Sequence, residues 1–596
     1  MNYAEEEQSV MGKAYDSRLM KRLLKYIYPY RYYGLLAVIL LLIMTLLQLA
    51  GPYLMKIAID TYMAQKDLAG LKWIVLIFLG VLIARGIFQF AQNILMEWIG
   101  QKIMAQLRLH IFSHLQRLPM QFFDRNPVGR LVTRVTSDVD TMNELFTSGF
   151  ISIFGDLFTL FGIIIVMLHL NWKLALLTFS ILPFLAGATF YIRIKLRNNF
   201  REIRVRIARI NAFLQENITG MSTVQNFNRE KRNFNQFDQL NHHHLEAQLE
   251  TVYYFSMFFP VVEFLLSVAI SMIIWYGGKN IILGIESYGA LLAFIQYVER
   301  FFRPLSQLAE KYNIMQAAMA SSERVFKLLD EPLVIHSPEN PLRMPSIKGA
   351  IEFNEVYFHY NSLDGENNTD RYILDNISFT VAPGEKVAIV GSTGAGKTTI
   401  INLLTRFYDI QKGKILIDSN NIKNFELRTL RSNIGIVLQD VFIFARDIAS
   451  NIRLGNHEIS QENVIQAARD VHLHKFIKTL PNQYDEKLTE RGSTLSTGQR
   501  QLLAFARALA FDPQILILDE ATSSVDPETE LLIQQALLRL MENRTSLIIA
   551  HRLSTIEHVD KVIVLHKGKI RQVGTHQELL SQEGIYKRLY QLQYVS

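Results

Sequence analysis

Lys386-Val-Ala-Ile-Val390 runs into Gly391-Ser-Thr-Gly-Ala-Gly-Lys-Thr398 and then into Thr399-Ile-Ile-Asn-Leu-Leu404. The first five residues read as a buried strand and the last six as the opening of a helix. The loop between them has the spacing of a phosphate-binding loop in its required strand–loop–helix setting. Gly391, Gly394 and Gly396 let backbone N–H groups close round phosphate oxygens, with Ser392, Thr393 and Ala395 between them, and the helix start adds partial positive charge. Lys397 has the reach to touch terminal phosphates, the Thr398 hydroxyl suits a Mg2+ shell, and Thr399 completes the set.

Downstream, Ile515-Leu-Ile-Leu-Asp-Glu520 is another buried-strand run, ending in two acids. Asp519 suits the Mg2+ shell, and Glu520 is placed to orient or deprotonate an attacking water. Either acid alone would be explained by capping of the next helix; beside a phosphate loop, the catalytic reading is stronger. From about residue 351 short β-like runs alternate with helical ones, which predicts an α/β domain with a substantial parallel sheet.

Upstream of that domain the texture is different. The chain has 596 residues, 49% of them hydrophobic and only 20% charged, where a soluble protein carries about 25% charged residues. Much of it belongs in lipid. A formal net charge of +7 is small for this length, and nucleic-acid binding wants a concentrated basic face, so nucleic acid is not expected as a partner. With no cysteine, disulfides, thiolate metal sites and cysteine nucleophiles are excluded.

A membrane crossing takes roughly 20 apolar residues in a helix. Six stretches qualify: 34–57, 73–95, 146–170, 174–191, 257–276 and 290–308, the last interrupted by Glu299, Arg300 and Arg303. Ahead of them, 17–30 reads as an amphipathic helix lying on the membrane surface, with an ordinary surface helix packed on protein as the alternative, and no cleavable signal peptide is expected. Basic residues crowd the second-to-third and fourth-to-fifth connections, which predicts that these connections, both termini and the α/β domain are cytoplasmic in a multi-pass protein of the cell membrane. Both connections read as long helices that reverse at tips near 122–129 and 220–225. Arg85, Asp156 and Glu263 fall within spans and should face protein or a water-filled cavity. They mark either a substrate path or a structural ion pair, for instance Arg85 with Asp156. Phe255, Phe258, Phe259, Tyr297, Phe301 and Phe302 are candidate cavity aromatics, with packing the commoner role for such residues.

Leu495-Ser-Thr-Gly-Gln499 resembles the signature that defines ATP-binding cassette proteins. In the family's order stand Tyr360 at the adenine-stacking position, Gln439 in Ile-Gly-Ile-Val-Leu-Gln-Asp, the Ser523-Ser-Val-Asp526 stretch and His551 in Ile-Ala-His-Arg. The resemblance covers the whole chain, because six spans ahead of one cassette look like an exporter half-transporter. It implies residues 1–32 as N-terminus and elbow helix, 33–325 as a six-helix membrane domain with two coupling tips, 326–348 as linker and 349–596 as the nucleotide-binding domain.

The same resemblance implies that two cassettes close head to tail on ATP and Mg2+. Ser496, Gly498 and Gln499 would then meet nucleotide bound by the partner chain; Gln439 would sense Mg2+ and water. His551 would hold the γ-phosphate beside Glu520, and Asp526 would link the two sites. The family's usual signature has glycine where this chain has Thr497, which implies a heterodimer with one strong and one weak hydrolysis site, over a homodimer that tolerates the change. The implied activity is ATP-driven export of amphipathic drugs, lipids or peptides, with an ATP-gated channel or regulatory subunit as the alternative. Importers, soluble cassette proteins and peptidase-coupled exporters fit the organisation less well.

Overall fold

The computed structural model describes residues 16–343, 347–360, 372–519, 526–550 and 556–594. It divides into two compact units, Met1–His114 with Leu131–Asp330, and Leu115–Arg130 with Glu331–Ser596.

The first unit is helical. Its long elements are α1 (Ser17–Ile27), α2 (Arg31–Ile57) and α3 (Leu68–Leu115), the last leading to α4 (Met120–Arg125) of the second unit. Then come α5 (Ile151–Phe179), α6 (Leu182–Thr219), α7 (Met221–Asn226), α8 (Glu230–Ile282) and α9 (Tyr288–Leu329). At 1.5 Å per residue the 53-residue α8 is about 80 Å long, far more than the roughly 30 Å hydrocarbon core. The two tips become the short helices α4 and α7, bounded by Pro119 and Asn126 in one case and by Gly220 and Phe227 in the other.

Four helical stretches, Ser17–Met63, Leu68–Leu115, Val128–Phe179 and Glu230–Ile282, are long and apolar enough to cross a membrane, and they contain the expected spans 34–57, 73–95, 146–170 and 257–276. The expected fourth span, 174–191, is not one helix. Asn171 leaves helical geometry (φ −160°, ψ 105°) and its Oδ1 accepts the Leu174 N–H at 3.0 Å, so the helix restarts there. It ends again at Phe179, and Pro183, which lacks a backbone N–H, opens α6. The expected sixth span lies in α9, whose Glu299, Arg300 and Lys311 lower its apolar character. The α9 helix also continues past residue 325 to Leu329, because Val325, Phe326 and Leu328 are buried against the unit; the expected linker therefore starts four residues late.

The surface helix α1 is capped by Asp16 and uses part of its apolar face on protein, burying Met20 and Leu23. Arg22 grips Asp330 at the end of α9 through two hydrogen bonds of 2.6 and 2.8 Å and lies 4.2 Å over the Phe326 ring. The expected pairing of Arg85 with Asp156 is not formed, because the Asp156 carboxylate is taken by Lys311 of α9. Arg85 is half-buried and Glu263 exposed. Tyr297, Phe301 and Phe302 are buried in the helical core with Ile163, Met167 and Ile273, so packing explains them; Phe255 and Phe259 are exposed. The spans turn Leu46, Val75, Ile83, Phe90 and Phe161 outward, an apolar surface for lipid or another chain.

The second unit contains two sheets. The first, in the order β2-β1-β4-β5, consists of antiparallel strands β1 (Ile351–Phe358), β2 (Leu374–Val381), β4 (Lys412–Ile417) and the short β5 (Asn420–Asn421). The second, in the order β10-β9-β3-β8-β7-β6, is parallel from β9 to β6, with β3 (Lys386–Gly391), β6 (Ile434–Val437), β7 (Ile515–Asp519), β8 (Thr545–Ile549) and β9 (Lys561–His566); β10 (Lys569–Gly574) returns antiparallel. The central strands are apolar throughout because both faces are covered. Alternation sends Val387, Ile389, Ile515 and Ile517 into one hydrophobic core, and Ala388, Val390, Leu516 and Leu518 into the other.

Candidate functional site

In open parallel sheets, ligands meet the carboxyl ends of the strands. Here Ile389 of β3 and Asp519 of β7 both lie opposite Ile549 of β8, so register sets the phosphate loop and Asp519 on one edge. Gly394 and Gly396 have φ of +79° and +103°, a region glycine enters without strain. At Gly391 a Cβ would come within 2.3 Å of the Leu565 carbonyl oxygen, and at Gly396 within 2.6 Å of Leu374. Glycine is therefore required for the loop's path as well as for ligand access. Gly396 caps α10 (Lys397–Leu404).

Lys397 is buried, and its Nζ donates to the carbonyl oxygens of Gly391 at 2.7 Å and Ser392 at 3.2 Å. Burial pulls its ammonium below the ordinary lysine range, partly opposed by the Asp519 carboxylate. Ser392, Thr393, Gly394 and Thr398 are exposed at the loop's mouth, while Ala395 and Thr399 are buried. The Asp519 carboxylate and the exposed Thr398 hydroxyl are hard oxygen donors, chemistry that suits Mg2+. Gln439 is exposed two residues beyond Val437, which pairs with Leu518, so it stands at the same edge as Asp519.

Tyr360 follows β1. Its hydroxyl donates to Thr399 Oγ1 at 3.5 Å and accepts from Asn402 Nδ2 at 3.3 Å, which ties it to α10. Its ring is 37% exposed and meets Phe358 and Tyr408 edge-on, with centroids 4.8 and 5.0 Å away. A cavity of about 170 Å³ beside it is lined by Pro119, Gln121, His359, Phe407, Tyr408 and Gln411.

The signature forms the start of α11 (Thr497–Ala510). Ser496 Oγ accepts the Gln499 N–H at 3.2 Å, and Gln499 Oε1 accepts the Ser496 N–H at 2.9 Å, a complete capping box. Gly498 is buried; Thr497 is exposed at the first helical position, its hydroxyl accepting from Arg500 at 3.2 Å. Further along, Arg507 donates to the carbonyls of Asn451 at 2.9 Å and Phe442 at 3.3 Å, fastening the segment after Gln439 to α11. Asp526 caps α12 (Pro527–Met541), accepting the Thr529 N–H at 2.9 Å. Glu520, Ser523, Ser524, Val525 and His551 lie outside the described residues.

Sequence reasoning missed Tyr408 and Asp124. The Tyr408 hydroxyl donates to Asp124 of α4, a bond that joins the tip of the first connection to the turn after α10. Burial, then that hydrogen bond, push the Tyr408 hydroxyl above the ordinary tyrosine range. No local pattern signals a contact between residues so far apart in the chain.

Comparison with known proteins extends along the whole chain. The model of the ABC transporter transmembrane region matches residues 35–305, and that of the ABC transporter domain matches 374–523. A probable multidrug resistance ABC transporter ATP-binding/permease protein, YheH of Bacillus subtilis (strain 168), is 38% identical over 89% of this chain and 78% of its own length. An ATP-dependent lipid A-core flippase of Syntrophus aciditrophicus (strain SB) is 36% identical over 97% of this chain and 94% of its own. Among solved structures, a bacterial Atm1-family ABC exporter with ATP bound superposes with a TM-score of 0.76 at 28% identity, covering 95% of this chain and 99% of that one. This chain joins a phosphate loop on a parallel sheet to helices of membrane-crossing length, and both family models match it. The chain therefore belongs to the ATP-binding cassette transporters, as an exporter half-transporter whose ATPase is coupled to transport.

Proposed function

We propose that this half-transporter moves amphipathic compounds, drugs or lipids, out of the cytoplasmic leaflet, as the names of its multidrug and lipid A relatives suggest. The observation that carries the reading is the buried Lys397 within a glycine-built phosphate loop, in one chain with apolar spans. The termini and the ATPase unit are assigned to the cytoplasm from the basic connections.

In this reading Gly391 to Thr399 hold the triphosphate, Lys397 neutralises its terminal charge, and Tyr360 stacks on the base. Thr398, Gln439 and Asp519 take Mg2+, which would draw charge from the phosphate being transferred. Glu520 orients the attacking water and His551 steadies the γ-phosphate beside it. Ser496, Gly498 and Gln499 meet the nucleotide of a second half-transporter, and Asp526 lies at that interface. The second half is proposed to be a different chain: Thr497 puts an exposed side chain where access to phosphate is closest, so it would face a weak site.

Transport of a fluorescent lipid analogue and a cationic dye into inverted vesicles tests the reading. Glu520→Gln should lower ATP-dependent uptake by at least about a hundredfold, the usual weight of a general base. Uptake that ignores this substitution, with nucleotide binding intact, points to a gated pore.

A further inference from the structure

The turn after α10 connects two features that nothing in the local sequence relates. It leaves the phosphate-loop helix at Leu404 and is braced by Arg406, whose φ of +51° is held by a 3.1 Å bond to Asp409. Arg431 braces it too, donating to the carbonyls of Thr405 at 3.3 Å and Arg406 at 3.0 Å and lying 5.1 Å over the Phe407 ring. Tyr408 is the next residue. One edge of its ring abuts Tyr360 at 5.0 Å, and its hydroxyl holds Asp124 of α4. Tyr360 is itself bonded to Thr399 and Asn402 of α10. Phosphate loop, base platform and tip are thus joined through one short helix and one braced turn.

We infer that Tyr408 is a positioning residue through which the nucleotide site grips the cytoplasmic tip α4, sensing the base at Tyr360 with its ring and holding Asp124 with its hydroxyl. The inference rests on the proposed base-stacking role of Tyr360. Three features favour it over simple packing. Among the described residues the hydroxyl bonds one side chain, Asp124 of α4. The contact borders the cavity beside Tyr360, where a base would press on the ring. The bracing arginines leave the turn little freedom to absorb a displacement, so a shift at Tyr360 is passed to Asp124.

Amide exchange of 119–130 in the full-length protein in lipid nanodiscs tests this, with and without a saturating non-hydrolysable ATP analogue and Mg2+. In the wild type the nucleotide should slow exchange by about two- to tenfold, the weight of one hydrogen bond. Tyr408→Phe, which keeps the ring, and Asp124→Ala should each abolish that nucleotide-dependent change, and the double variant should do no more than either alone. A wild-type tip indifferent to nucleotide overturns the inference. So does a nucleotide effect that persists in Tyr408→Phe, or an exchange rate raised equally with and without nucleotide. Tyr360→Ala reads the underlying assignment separately, through affinity for ATP. A loss of at least about fivefold is expected for a stacked base; an unchanged affinity overturns base stacking while leaving the hydroxyl–carboxylate link to be judged by the exchange data.

Discussion

Lys397 shows how far one residue can be read. Its place in the loop follows from spacing, but its burial and its two carbonyl partners come from the way β3 and α10 close the loop around it. Lys397→Ala should weaken ATP binding by about 1.5–3 kcal/mol, the range for hydrogen bonds to charged groups, in a titration with a fluorescent nucleotide; a smaller loss would remove it from the phosphate site. Thr497 carries the opposite lesson. It departs from the expected glycine, yet the capping box of Ser496 and Gln499 is complete, so the helix start is not damaged; what changes is the exposed side chain. Thr497→Gly should raise ATP turnover of the assembled transporter by about two- to tenfold, the worth of one recovered contact, and no gain would favour the homodimer. Asp447 is a cap that sequence inspection passed over. Burial pushes its carboxyl up, but hydrogen bonds from Ser450 more than offset this and hold it below the usual range. A lowered carboxyl stabilises the fold fully above its unfolded value of 3.8 and loses that contribution as pH falls through the lower folded value. Asp447→Ala should therefore destabilise Ile448–Arg453 by about 1 kcal/mol at neutral pH and make no difference in strong acid, read as amide protection.

At the scale of elements, the apolar runs were legible because lipid demands long uninterrupted stretches; their ends were not. The turn between the third and fourth spans falls at Asn171, in the short gap the apolar runs leave between them; the fourth span itself is interrupted after Phe179, where Pro183 opens a new helix. The α1 helix was legible as amphipathic, but its grip on α9 was not. The pair of Arg22 and Asp330 is partly exposed, with side-chain exposures of 36% and 59%, which limits its electrostatic worth. With the contact to Phe326 added, Arg22→Ala should cost about 1 kcal/mol. The combination Arg22→Asp with Asp330→Arg should recover only part of this, because the new arginine no longer lies over the ring. Exchange rates across Ser17–Ile27 measure both.

For the whole molecule, two compact units divide the chain where its composition changes, except that Leu115–Arg130 belongs with the nucleotide-binding unit although the helix leading to it belongs mainly to the other. If the partner is a different chain, this chain purified alone should hydrolyse ATP at near-background rates and gain activity on mixing with its partner; brisk hydrolysis by the chain alone, lost in Glu520→Gln, would establish the homodimer. By itself the sequence determined four long apolar helices, the α/β cassette and the order of its motifs. Hydrophobic length and glycine spacing are local properties that survive in one dimension. Only the tertiary structure decided that Asp156 pairs with Lys311, that Tyr297 is core, and that Tyr408 reaches Asp124. Such contacts depend on which faces of distant elements meet, and that is set by the packing of the whole chain.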